Sequence, residues 1–159
     1  MSIIVVRHGE TALNVSRVLQ PADTPLSQRG QAQARAVSLR LAAEPVAALV
    51  SSDLLRARQT ADAIALQTGG LKVTSWMGLR ERDFGDWRGL SYDALPVDPL
   101  RMDEAPPGGE SKVAFAQRCR STWAELVTPR TVGWRAGGGL AWADHPPAFT
   151  GSAGRRRSG

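Results

Sequence analysis

The stretch Ile3-Ile4-Val5-Val6-Arg7-His8-Gly9-Glu10-Thr11 runs a buried-strand pattern directly into a cluster of polar residues. Four consecutive β-branched residues suit a strand covered on both faces, as in a parallel sheet. Such sheets bind ligands beyond the carboxyl ends of their strands, and His8 stands at that place. An imidazole nitrogen attacks phosphorus well near neutral pH if it is unprotonated and its ring partner is fixed by a hydrogen bond. Gly9 lets the backbone pass close to a phosphate, and Arg7 offers a permanently charged, planar fork for phosphate oxygens. A lone histidine after a strand is more often structural. Arg-His-Gly-Glu-Thr with Asn14 following is a far more specific pattern.

Working outward, residues 14–25 hold Asn, Gln, Pro and Asp and read as loop. Ser27 can cap a helix over about 28–43, which Pro45 stops. Residues 46–50 read as a second buried strand. Ser51, Ser52 and Asp53 are then cap candidates for a helix in which Leu54, Ala57, Ala61 and Ile64 recur at helical spacing. Gly69-Gly70 ends that helix, and residues 71–75 form a short strand candidate. Residues 78–92 read as an ordered loop. Pro96, Pro99, Pro106 and Pro107 punctuate the next stretch, before a last helix over about 111–127 carrying Val113, Ala116, Arg118 and Trp123. No internal repeat is found. Alternating strand and helix means α/β with a mainly parallel sheet and right-handed crossovers.

Two further segments bring chemistry to His8. Arg56 lies in the first turn of a helix that begins where the second strand ends, so it can point into the same cleft. By position alone a solvated helix arginine is the commoner outcome, and Arg58 is a candidate for that role. Expelling an alkoxide needs a proton donor near the leaving oxygen. The segment 78–89 offers Glu81, Asp83 and Asp86, and spacing does not choose among them.

Bulk composition excludes several other classes. The chain has 159 residues, enough for one domain with a real core. One cysteine, Cys119, cannot build a disulfide framework or a cysteine zinc site, and fits a reducing compartment. No apolar run approaches the ~18–20 residues of a membrane helix. The first apolar run is four residues and ends in Arg-His, unlike a signal peptide, so a cytoplasmic location is expected. The net charge of +5 splits into +1 for residues 1–127 and +4 for residues 128–159. A body of near-zero net charge is a poor footprint for nucleic acid, and Arg155-Arg156-Arg157 in a polar tail is usually just solvated.

Four motifs, in order, carry a resemblance: Arg7 to Thr11 with Asn14; Ser51-Ser52-Asp53-Leu54-Leu55-Arg56-Ala57 with Gln59-Thr60-Ala61; Leu79-Arg80-Glu81 with Phe84-Gly85-Asp86-Trp87-Arg88-Gly89; and Pro107-Gly108-Gly109-Glu110-Ser111. Over roughly residues 2–127 the chain resembles the histidine phosphatase superfamily, branch 1, whose fold is shared with cofactor-dependent phosphoglycerate mutases. The resemblance implies a three-layer α/β sandwich, incomplete at its C-terminal end. It implies that His8 is phosphorylated, that Arg7 and Arg56 bind the phosphoryl group, and that Glu81 is the proton donor. It places Asn14, Glu110 and Ser111 along the substrate. It implies no metal or cofactor, since the arginines supply the positive charge. Expected is a phosphoric monoester hydrolase acting on a small phosphorylated metabolite, with no nucleic-acid or membrane partner; a homodimer is left open. Phe84-Gly85-Asp86-Trp87 and the 19 residues between Gly89 and Gly109 favour a phosphatase over a mutase. The alternatives are a phosphoglycerate mutase-type phosphotransferase and a catalytically impaired phosphate binder.

The third possibility arises because the family's second histidine, which ends an apolar strand after the last helix, has no match here. His145, in Asp144-His145-Pro146-Pro147, lacks the small neighbours and the preceding strand. The expected organisation is therefore an incomplete histidine phosphatase domain over 1–127 and a divergent or disordered basic tail over 128–159. Seven glycines, three prolines and five arginines in those 32 residues resemble the product of a shifted reading frame in a GC-rich gene. A missing strand would leave the edge of the first strand open and apolar surface unburied.

Overall fold

β1 (Leu49–Ser51) pairs in parallel with β2 (Val73–Ser75), Leu49 opposite Val73 and Ser51 opposite Ser75. The structure, a computed structural model, describes residues 2–128. A parallel pair needs a crossover, and here it is the helix α3 (Leu55–Gln67). Ala61 and Ala65 of α3 are buried against Val73, with Leu49 packed beside them. Small side chains bring the helix close to the sheet. Burying a valine such as Val73 stabilises this contact by about 1.5–3 kcal/mol. The fold is α/β with a parallel sheet, as the alternation of elements requires.

Before the β1–α3–β2 unit come α1 (Ala12–Val15) and α2 (Gln28–Leu41); after it comes α4 (Lys112–Leu126). The single turn α1 runs by two residues, Asn14 and Val15, into the stretch read as loop. Its cap explains it: Thr11 Oγ1 accepts from Asn14 N, and Asn14 Oδ1 accepts from Thr11 N. Ser27 caps α2 as its sequence predicts, accepting from Gly30 N at 3.0 Å. Gly30, Ala34, Ser38 and Leu41 form its buried stripe, and α2 packs on α3. Ser111 caps α4 through Ala114 N, and α4 packs on a 3-10 turn at Met77–Leu79.

The start of α3 differs from expectation. None of Ser51, Ser52 and Asp53 is its N-cap; Leu54 is, and it makes no side-chain cap. Ser52 Oγ accepts from Leu54 N and shapes the turn ahead of the helix. Asp53 turns instead to Arg80, whose guanidinium holds the Asp53 carboxyl below the usual range.

The first predicted strand is the larger correction. Residues 3–6 form no strand, and none makes a backbone hydrogen bond to another described residue. Ile3, Ile4, Val5 and Val6 are 41, 54, 81 and 37% exposed. Apolar surface therefore lies open, as expected, but without strand geometry. A β-branched run favours extended backbone; only a neighbouring strand satisfies its N–H and C=O groups and only a covering layer buries its side chains.

Residues 78–92 are ordered with little regular structure beyond 3-10 turns at Gly85–Trp87 and Tyr92–Ala94. The proline-rich stretch locks onto them. Buried Arg82 donates to the carbonyls of Glu110, Met102 and Glu104 at 2.8, 2.8 and 2.5 Å. Gly85, at φ +51°, lies so close to Pro107 that a Cβ there would stand 2.1 Å from the Pro107 carbonyl oxygen. Among the described residues, no helix is long and apolar enough to cross a membrane.

Candidate active site

Arg56 is the only charged side chain below 2% exposure among the described residues. A buried guanidinium is costly unless its donors are matched. Nη1 donates to the Pro21 carbonyl at 3.0 Å, and Nη2 to Glu81 Oε1 in a short ion pair. Nε is buried without a partner. The side chain thus points inward, away from the solvated role that its position alone favours. Arg58 takes that role, bonding Asp62 and Ser75 at the surface.

Thr60, one turn further along α3, ties the His8 loop to the same helix. Its Oγ1 donates to the Arg56 carbonyl at 2.9 Å and accepts from Gly9 N at 3.2 Å. Thr60 is a positioning residue that pattern reading passes over. Its signal is a polar residue four positions after Arg56, on a face that should be apolar.

His8 Nδ1 lies 2.7 Å from the Gly9 carbonyl oxygen. A carbonyl only accepts, so Nδ1 carries the proton and Nε2 keeps its lone pair. The ring's pKa is lowered, chiefly by burial; the Gly9 carbonyl opposes this, the Arg56 and Arg7 charges add to it, and Glu81 opposes it. A depressed pKa keeps the ring neutral and nucleophilic at lower pH.

Gly9 also has a packing role that residue order does not show. Its missing Cβ makes room for α2: a Cβ there would stand 2.4 Å from the Gly30 carbonyl oxygen. Reciprocally, a Cβ on Gly30 would stand 2.0 Å from the Glu10 carbonyl oxygen. Around this contact Ser27 Oγ donates to Glu10 Oε1 at 3.0 Å, and Glu10 N donates to Gln33 Oε1 at 2.8 Å. The glycine lets the loop sit on the first turn of α2.

Of the three acids in the 78–89 segment, only Glu81 reaches Arg56. Asp83 accepts from Gly85 N and Arg88 Nε, and Asp86 is exposed. Arg80, paired with Asp53, fixes the backbone beside Glu81. Tyr92 is a further neighbour: its phenol pKa is raised mainly by burial and then by the Glu81 charge. Arg17 lies over its ring at 5.4 Å.

The remaining sequence-assigned residues fare differently. Arg7 is exposed and acts on His8 only through its charge. Asn14 spends its carbonyl oxygen on the α1 cap. Glu110 is clamped by Arg118, with Nε and Nη2 at 2.9 and 2.7 Å, and that contact holds its carboxyl below the usual range. Ser111 caps α4. The side chains of Glu110 and Ser111 therefore brace the loop and α4 in this structure. His145 lies outside the described residues.

The chain that brings this buried arginine, imidazole and carboxylate together from three segments is similar to known proteins. Residues 3–131 match the model of the histidine phosphatase superfamily, branch 1. Glucosyl-3-phosphoglycerate phosphatase of Mycobacterium tuberculosis is 41% identical over 134 residues, covering 79% of this chain and 60% of its own. Phosphoglycerate mutase-like protein 4 of Arabidopsis thaliana is 41% identical over 129 residues, covering 74% and 56%. The native structure of mycobacterial glucosyl-3-phosphoglycerate phosphatase superposes with a TM-score of 0.67 at 38% identity, covering 81% of this chain and 65% of that one. The chain thus spans about 60% of the length of the curated relatives it matches. The family match ends four residues after Val127, where the composition changes. On these grounds the chain belongs to the histidine phosphatase superfamily, branch 1.

Proposed function

We propose that the chain is a phosphoric monoester hydrolase acting on a small phosphorylated metabolite through a phosphorylated His8. The observation that carries this reading is the buried Arg56 gripping Glu81 beside an imidazole whose proton sits on Nδ1. In the first step His8 Nε2 attacks phosphorus, and the P–O bond to the alcohol breaks. Arg56, together with Arg7, stabilises the phosphoryl charge, and Glu81, having left Arg56 and taken up the proton of the entering ester monoanion, donates it to the departing oxygen. Glu81 must first leave Arg56, so the incoming phosphate takes over that guanidinium, including its idle Nε. Water, losing a proton to the Glu81 carboxylate, then attacks phosphorus; the P–N bond breaks, phosphate leaves and the ring is regenerated. Asn14, Glu110 and Ser111 border the substrate in this reading, Glu110 and Ser111 through the loop they brace.

Hydrolysis rather than transfer is favoured by the short stretch between Gly89 and Gly109 and by the mycobacterial relative's phosphatase name. The lone Cys119 suits a cytoplasmic location. We assign the domain to residues 1–127, with 128–159 as an appended basic tail, and leave a homodimer open. A generic aryl phosphate tests the activity. Turnover should be measurable in the full chain and fall by at least ~10³-fold in His8→Ala, as for loss of a covalent nucleophile. Turnover unchanged in that variant would contradict the reading.

A further inference from the structure

The peptide group between Gly9 and Glu10 carries a hydrogen bond at each end. Its carbonyl oxygen accepts from His8 Nδ1 at 2.7 Å. Its N–H, on Glu10, donates to Gln33 Oε1 at 2.8 Å. Gln33 is exposed on α2, yet its side chain reaches back to the His8 loop. A backbone N–H only donates, so it is the oxygen of the Gln33 carboxamide that faces it. The groups on either side are held as well. Gly9 N donates to Thr60 Oγ1 at 3.2 Å, and the Glu10 carbonyl accepts from Ser27 N at 2.9 Å. The peptide therefore has a fixed tilt. Gln33 Oε1, Glu10 N–H, the Gly9 carbonyl and the His8 ring form one chain of hydrogen bonds that runs from α2 to the imidazole.

We infer that Gln33 is a positioning residue that acts on His8 through the Gly9–Glu10 peptide and keeps the ring proton on Nδ1. The inference rests on the phosphohistidine reading above, in which Nε2 must be unprotonated to attack. Which imidazole nitrogen carries the proton is set by the hydrogen bonds around the ring. An acceptor at the N–H end of a peptide draws electron density toward its carbonyl oxygen, and linked hydrogen bonds strengthen one another. The Gly9 carbonyl is thus a better acceptor for Nδ1–H with Gln33 in place than without it. Gln33 takes the part of the third group that orients a catalytic imidazole, relayed here through one peptide and supplied by a neutral side chain.

Nitrogen-15 NMR of the full chain, labelled at its histidines, reads the tautomer directly. The chain has two histidines, so comparison with His8→Ala assigns the signals of His8. Spectra are taken at about pH 8, above the ordinary imidazole range, where the ring is neutral. The readout is the ratio of Nδ1–H to Nε2–H forms, which a loss of folded protein does not move. Wild type should be mainly Nδ1–H. Gln33→Leu removes the acceptor and should lower the ratio by about 2- to 5-fold, a part of the worth of one hydrogen bond. Gln33→Glu keeps an oxygen there and adds charge, and should hold the ratio at or above that of wild type. A Gln33→Leu ratio equal to wild type, or a Gln33→Glu ratio as low as that of Gln33→Leu, overturns the role of Gln33. If Gln33→Leu yields no folded protein, Gln33→Glu decides alone: a ratio at or above wild type supports the role, and a lower one overturns it. Turnover of an aryl phosphate is measured alongside, and kcat/KM should fall at least in proportion to the Nδ1–H share. A tautomer shift with unchanged turnover leaves the role of Gln33 standing and counts instead against attack by Nε2.

Discussion

Residues 3–7 and residues 52–60 both lead into the candidate active site, and they are held very differently. The second segment is anchored: Leu54, Arg56 and Thr60 are buried, and Thr60 bonds both its own helix and the His8 loop. The first is open: Ile3 to Arg7 are all exposed, and residues 3–6 have no backbone partner among the described residues. His8 sits at the junction, pinned from behind by α2 and α3 through Gly9 and Glu10 and led into by an unsupported run. A catalytic side chain is positioned by the elements packed against it, and among the described residues α2 and α3 hold the His8 loop. Arg56 and Glu81 meet as a fixed pair, while Arg7 is left to the solvent.

The strongest way to break this contrast is to attack its anchored half. Arg56→Ala removes a buried cation on which Glu81 and the Pro21 carbonyl depend, and should cost about 2–4 kcal/mol of unfolding free energy as well as activity. Urea denaturation checks it. A loss below ~0.5 kcal/mol, the range of ordinary surface substitutions, would mean that Arg56 is not enclosed. Gly30→Ala comes next. Its Cβ would meet the Glu10 carbonyl, so either the His8 loop or α2 must shift. A cost of about 1–3 kcal/mol is expected, and a thermal melt reads it. An unchanged melt would show that the loop does not rest on α2.

The open half should respond least. Val5→Lys places a charge at a position that is 81% exposed, and stability should stay within about 0.5 kcal/mol. The lysine also interrupts an exposed β-branched run of the kind that pairs between molecules, so light scattering should fall. A loss above ~1.5 kcal/mol, the scale of a buried position, would show that Val5 packs in solution.

Local chemistry was readable from residue order, and contacts between distant segments were not. The Ser27 and Ser111 caps lie within three residues of the amides they bind, so α2 and α4 could be read from the chain with their first turns intact. The helix stripe of Ala61 and Ile64 was equally visible as a period. Gly9 shows the limit. Its need for a bare Cα was evident, but the neighbour that demands it, Gly30, stands 21 residues away on α2. Residues 3–6 show another limit. Composition reports a preference for extended backbone, and strand formation depends on a partner strand that composition does not supply. At the site, Arg56 and Glu81 were named from separate motifs, yet nothing in the order of residues reveals that they grip each other.

The central claim is that His8 attacks phosphorus through Nε2. Phosphorus-31 NMR of the full chain, rapidly quenched with base during turnover of an aryl phosphate and denatured, distinguishes the two ring isomers of phosphohistidine. Phosphate on Nε2, absent from His8→Ala, is the predicted result. Phosphate on Nδ1, or on a residue other than His8, would contradict the account.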